Sequence, residues 1–202
     1  MCDVSQTDLM SGFIGALVGG LLSLAGTYIS NSLQANNSKK AEEKLIMGLL
    51  QSIHDEVETL WELYMNGVGA NLEALAERQP FLFFWPITQD YFTVYATNAF
   101  LIGRINNHDL RKLIIAVYSR SRGLVDSFRL NNDMVQKRQN CLMIFAETKN
   151  PVHQQQGMAF EAALSEYAAK IRKSHFEVKA LTSDLLRALR KQGVLSPSSK
   201  VK

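Results

Sequence analysis

The chain has 202 residues, 47% of them hydrophobic, with 22 basic and 19 acidic side chains and a formal net charge of +3. So small an excess argues against a dedicated nucleic-acid binder, and two cysteines, Cys2 and Cys141, exclude a disulfide-built scaffold and fit a reducing compartment.

The first element is set by an absence of charge. No residue between Asp8 and Lys39 is ionisable as Asp, Glu, Lys or Arg. Residues 12–30 with their neutral flanks give about 20 residues, enough at 1.5 Å per residue to cross a hydrocarbon core of ~30 Å. A secretory signal begins with a basic region, whereas residues 1–8 carry only Asp3 and Asp8, so the sequence predicts a retained transmembrane helix over residues 11–31. Residues 1–10 are then a short extracytoplasmic N-terminus. Lys39, Lys40 and Lys44 follow the span and place residues 32–193 on the cytoplasmic side of an inner membrane. All 22 basic residues lie from Lys39 onward, a mild excess suited to an anionic leaflet.

Wound at about 100° per residue, the apolar stretch sorts by side-chain size. Gly12, Gly15, Ala16, Gly19, Gly20, Ser23, Gly26, Thr27 and Ser30 fall within an arc of roughly 140°, and the larger residues take the other side. Helices in lipid gain little from hiding apolar surface and associate by close packing, which a smooth face permits. The expectation is a homo-oligomer joined through this face. A dimer needs one narrow seam, and a ring would use the width of the face and line a pore with it. Both remain open.

The rest of the chain reads as a helical bundle. Ile46, Leu49, Leu50, Ile53, Val57, Leu60, Trp61 and Tyr64 recur at three- and four-residue steps and predict a helix that Gly67 and Gly69 stop. Its acidic residues, Asp55, Glu56, Glu58 and Glu62 among them, are expected to face solvent, and His54 with Glu58 reads as a surface pair. A short helix over residues 70–78 precedes Pro80. Then Phe81, Leu82, Phe83, Phe84 and Trp85 form an aromatic cluster ended by Pro86, an irregular segment. Its rings either plug the core or, at Phe81, Phe83, Phe84 and Trp85, contact a protein partner or a membrane interface.

Thr88 predicts an N-cap for a helix to about residue 105, burying Tyr91, Phe92, Tyr95, Leu101 and Ile102. Asn107 or Asp109 caps a long helix to about residue 147, broken at Lys149, Asn150 and Pro151. A last helix from near Gln155 to Gln192 carries a heptad of Leu164, Ile171, Val178 and Leu185, interrupted by Ser174 and Thr182. Gly193 suits its C-terminal turn, and residues 194–202 read as a flexible tail. The fold class is therefore all-α, one transmembrane helix followed by a bundle of four or five helices.

Chemistry is sparse. His54, His108, His153 and His175 show no metal-binding spacing, and neither a phosphate loop nor a nucleophile elbow occurs. His175, on the heptad seam, reads as a buried, satisfied histidine. Arg104 with His108, and Arg172 with His175, are spaced more tightly than the Arg/His motif of HEPN nucleases. The basic residues of the middle helix, Arg111, Lys112, Arg120, Arg122, Arg129, Lys137 and Arg138, scatter around it, so nucleic acid is not expected as a partner. No catalytic residue, cofactor or metal is expected, and the chain reads as a non-enzyme.

One membrane helix joined to a cytoplasmic helical bundle resembles the membrane-anchored, HEPN-like accessory proteins of prokaryotic antiphage defence, such as those of type VI CRISPR systems. The resemblance lies in organisation, and no motif residue carries over. It implies an oligomer that perturbs or permeabilises the inner membrane when triggered. The competing expectation is a membrane-tethered adaptor whose bundle recruits a protein partner.

Overall fold

The computed structural model describes residues 6–87 and 90–194, and up to residue 30 it places only the side chains of Ser23, Gly26, Thr27, Tyr28 and Ser30. Every element among them is helical: α1 (Gln6–Tyr64), a π turn (Met65–Gly69), α2 (Ala70–Glu73), α3 (Thr93–Thr97), α4 (Ala99–Ile102), α5 (His108–Thr148) and α6 (Pro151–Lys191). Two compact units divide the chain, Met1–Ile46 and Met47–Lys202.

The first unit is helical backbone from Gln6 onward. Gly12, Gly15, Ala16, Gly19 and Gly20, five of the nine predicted face residues, have side-chain positions outside the described residues. Ser23, Gly26, Thr27 and Ser30 are exposed, and the Thr27 hydroxyl donates to the Ser23 carbonyl at 2.8 Å. Among the described residues no helix is long and apolar enough to cross a membrane.

The second unit is built on the last third of α1 with α5 and α6. From Leu164 onward the buried residues of α6 are Leu164, Ala168, Ile171, His175, Val178, Thr182, Leu185 and Leu189, an unbroken four-three alternation. In α5 Leu110, Ile114, Val117, Leu124, Phe128, Asn131 and Val135 follow the same spacing. Such a seam lets two long antiparallel helices bury their apolar edges along most of their length. The predicted heptad is thus real, with two changes. Thr182 sits in the seam instead of breaking it, and Ser174 lies on a half-buried flank beside His175, which holds the seam position expected of it.

Helix ends follow local chemistry. The Asn107 side chain accepts from the Leu110 N–H at 3.1 Å, as expected for an N-cap. α6 begins at Pro151, earlier than predicted. Its first-turn position lacks an orphan N–H to satisfy, and Asn150 caps it by accepting from Val152 N–H at 3.0 Å. Lys149 closes α5 in the left-handed region. Gly193 (φ 87°) ends α6, and the N–H of Val194 then reaches the Leu189 carbonyl at 3.2 Å. Val194 is 1% exposed, so it belongs to the fold and not to a tail.

Other predicted boundaries move for physical reasons. Gly67 and Gly69 do not stop the first helix. The chain widens into a π turn and continues into α2. A Cβ on Gly69 would lie 2.6 Å from the Met65 sulfur and 3.0 Å from the Tyr64 ring, so the close turn favours glycine there. α2 covers Ala70–Glu73 only, and Arg78 turns the chain in the left-handed region (φ 61°). The single helix predicted from Thr88 is two short ones, and Thr88 lies outside the described residues. Phe92 (φ 71°) precludes helix before Thr93, and Asn98 separates α3 from α4. Leu101 and Ile102 are buried as predicted, while Tyr91, Phe92 and Tyr95 remain half-exposed.

The aromatic segment divides its rings. Phe81 is 2% exposed and joins Phe128, Ala168 and Ile171 in the core, with Trp85 packed against them. Leu82, Phe83 and Phe84 turn outward. Two asparagines of α5 hold the segment where it lacks secondary structure. Asn132 accepts from the Trp85 N–H at 3.1 Å and donates to its carbonyl at 2.5 Å, while Asn131 donates to the Phe83 carbonyl at 3.3 Å. Removing the clamp leaves two backbone groups unpaired in a half-buried setting. Asn132→Ala should lower unfolding free energy in urea by about 1–3 kcal/mol, with a matching change in Trp85 fluorescence.

Candidate functional site

A polar chain centred on a fully buried histidine links three elements of the bundle, starting on α1 and ending at the surface of α6. The Tyr64 hydroxyl lies 2.7 Å from Nδ1 of His175, and Nε2 of His175 lies 2.8 Å from Oε1 of Glu73. Lys179, one turn along α6, donates to the same carboxylate oxygen at 2.7 Å. Arg172 donates to the Leu75 carbonyl at 2.9 Å, closing the end of the α2 segment on α6. His175 is 0% exposed, as the sequence implied for a satisfied seam histidine.

Proton positions follow from what each atom can do. An ionised carboxylate only accepts, so Nε2 of His175 carries the proton and donates to Glu73. A neutral ring then has a bare Nδ1, which accepts from the Tyr64 O–H. Protonating the ring would turn Nδ1 into a donor and leave the tyrosine proton without its acceptor. Burial pushes the His175 imidazole below its ordinary pKa and outweighs the opposing pull of Glu73. Hydrogen bonds from Lys179 and then His175 hold the Glu73 carboxyl below the usual carboxylate range. The two groups therefore share one arrangement, neutral imidazole and charged carboxylate. Burial likewise raises the Tyr64 phenol above its usual value.

The chain has the order carboxylate, imidazole, hydroxyl, which in hydrolases activates a nucleophile. Here the hydroxyl is a phenol within the core and 8% exposed at Tyr64, so the arrangement fastens α1, α2 and α6 to one another.

Beside Tyr64 lies a small aromatic cavity of about 60 Å³, walled by Trp61, Tyr64, Trp85, Phe92, Tyr118 and Leu124 among others. Tyr118 in its wall is held by a carboxylate that the sequence places in solvent. Glu56 turns inward, accepting from the backbone N–H groups of Val94 (2.7 Å) and Tyr95 (3.3 Å) at the start of α3 and from the Tyr118 hydroxyl (2.7 Å). Burial, then the Glu56 hydrogen bond, raises the Tyr118 phenol pKa. No spacing signal marks Glu56, because its partners are remote in sequence.

The other weighed residues are dispersed. His54 is fully buried and not a surface group. Its Nδ1 meets Asp55 at 3.2 Å and Glu58 at 3.9 Å, while Arg190 of α6 pairs with Glu58 at 3.0 Å. His108 contacts Arg111 at 3.2 Å, and Arg104 is exposed on the turn before it. Arg172 and His175 have the separate duties described above. Along α5, Arg129, Lys137 and Arg138 pair with Asp126, Asp133 and Glu161, as a scattered basic helix would. Among the described residues no cluster of His, Cys, Asp or Glu could hold a metal ion. No protein family, curated protein or solved structure matches the chain.

Stability should depend on pH through this site. His175 keeps a lowered pKa in the fold, so below about pH 6.5 the unfolded chain takes up a proton that the fold refuses, and stability declines as pH falls from there. Glu73, held ionised, adds stability above the ordinary carboxylate pKa that disappears as pH drops through its lowered folded value. Urea midpoints should therefore fall between about pH 7.5 and 5.5, and more shallowly in His175→Gln. Equal slopes in the two proteins would assign the dependence to other groups. Tyr64→Phe should cost about 1–2 kcal/mol at neutral pH by stripping His175 of its donor.

Proposed function

We propose that the chain is a non-catalytic, oligomeric single-pass membrane protein, anchored in a prokaryotic inner membrane through residues 11–31 with its bundle in the cytoplasm. One observation carries the reading: a stretch free of charge from Leu9 to Ser38 whose apolar part is sorted into small and large faces. The uninterrupted helical backbone of Gln6–Tyr64 supports it, since a spanning segment must satisfy its backbone internally. Lys39, Lys40 and Lys44 set the orientation. The small face, centred on Gly15, Gly19 and Gly26, joins the copies, and in a ring it lines a pore. The bundle acts as scaffold or sensor, and the function is that of a membrane effector.

Two measurements test this. Light scattering in mild detergent should give a complex larger than a dimer, and lipid vesicles carrying the protein should leak a small dye. Gly19→Leu roughens the face and should abolish both. Leakage that persists in Gly19→Leu removes the pore.

A second reading, a tethered adaptor that recruits a protein, draws on the outward rings of Phe83 (41% exposed) and Phe84 (52% exposed). It predicts that exchanging residues 9–31 for an unrelated anchor leaves function intact, whereas the effector reading predicts loss.

A further inference from the structure

The aromatic cavity opens beside a charged cleft, and the two share their wall. Tyr91, Phe92 and Val125 line both the cavity of about 60 Å³ and a neighbouring cleft of about 230 Å³. The cleft is otherwise formed by Asp90, Arg122, Asp126 and Arg129. Arg129 is engaged with Asp126 at 2.9 Å. Arg122 makes no ion pair among the described residues. Its guanidinium stands 5.6 Å over the Tyr95 ring, a contact that leaves its hydrogen-bond donors open to a ligand.

We propose that this composite site binds a single-chain anionic amphiphile, its apolar end in the cavity and its head group on Arg122. Size and chemistry choose the class. A volume of about 60 Å³ is well under the ~150 Å³ that takes benzene, so the recess suits the end of an alkyl chain better than a ring. Among its lining residues, Ser121 and Thr182 supply the only aliphatic hydroxyls, and no charged side chain enters. The remainder of the chain lies along Tyr91 and Phe92 toward the cleft. Asp90 is the opposing charge there, and it tunes the affinity downward. The site lies wholly within Met47–Lys202 and does not depend on assembly through residues 11–31.

Both tryptophans of the chain, Trp61 and Trp85, line the cavity, so intrinsic fluorescence reads it directly. The full chain in neutral phosphatidylcholine nanodiscs is titrated at alkaline pH with decanoate, decanol and lysophosphatidate. Decanoate should give a saturable emission change, and decanol should bind at least about tenfold more weakly, the effect of losing one charge-assisted contact. Arg122→Gln should bring decanoate to the decanol value, and Asp90→Asn should tighten it. Ser121→Phe, with its helical content checked by circular dichroism, fills the cavity and should remove the response to all three. Lysophosphatidate binding more tightly than decanoate identifies a membrane-derived lipid as the source, and the reverse order a free carboxylate. An unsaturable response, equal affinity for decanol and decanoate, or indifference to Arg122→Gln overturns the proposal. Because the surface change Arg122→Gln leaves the core alone, misfolding of Ser121→Phe does not remove the test. The mass of the detergent complex is a separate readout, so the site and the membrane assembly can fail independently.

Discussion

A histidine in the middle of a helical seam is held most firmly when both of its ring nitrogens are answered, as they are at His175 and are not at His54, whose Nε2 is buried without a hydrogen-bond partner. At His175 the seam of α6 reaches the level where α1 gives way to a π turn, and the answer comes from both sides of that turn. Tyr64 precedes it and Glu73 follows it. The widened turn separates the two residues enough for one to meet Nδ1 and the other Nε2. Gly69 permits it, since a side chain there would press on Tyr64 and Met65. Burying the ring unpaired would cost several kcal/mol, so the geometry of the turn and the protonation of the ring are fixed together. Such a group specifies register as a polar residue does in a coiled coil, because sliding α6 by one turn would leave both partners and the ring unsatisfied.

The same principle holds the part of the bundle that has little secondary structure of its own. From Ala74 to Phe92 the described backbone makes few internal hydrogen bonds, and the long helices supply the missing partners. Asn132 satisfies Trp85 as a neighbouring strand would, and Glu56 caps α3 where Phe92 leaves no local cap. A carboxylate at a helix start is favoured by the exposed N–H groups and their dipole. Asn132 and Glu56 thus fix the segment at two places, and Trp85, Tyr91 and Phe92 are carried between them.

The sequence was most legible where periodicity alone decides the outcome. The two long helices, the Asn107 cap, Gly193 and the seam of α6 follow from three-and-four spacing and terminal chemistry, whereas the Asn150 cap was hidden behind Pro151, which reads as a break. Legibility failed where a distant side chain replaces a local signal. Thr88 offers a local N-cap signal but lies outside the described residues, whereas Glu56 supplies the cap seen at α3, and nothing near Glu56 records that it faces inward. Gly67 and Gly69 looked like helix stops because glycine usually marks one. A π turn uses glycine for close approach instead, and only Tyr64 and His175 together explain why. Of the site, His175 was readable from the seam, whereas Tyr64 passed as one more apolar residue and nothing in the sequence singles out Glu73. The rings of residues 81–85 were readable as a cluster but not as a division into inward and outward sets, which the clamp on α5 makes.

That division bears on why a cavity survives next to such a densely aromatic core. Flexible side chains would close a void of this size by changing rotamers, since each lost contact costs dispersion energy. Trp85 and Phe92 cannot shift freely. The backbone of Trp85 is held by Asn132, and Phe92 sits in the left-handed region directly before the α3 start that Glu56 caps. Opposite them, Tyr118 is fixed through its hydroxyl to the same Glu56 carboxylate, and Tyr64 through its own to His175. Stiff rings on pinned backbones meet at their edges and leave space between them. The hydrogen bonds that stabilise the irregular segment therefore also keep the cavity open, and an occupant that fills it recovers contacts the protein alone cannot make.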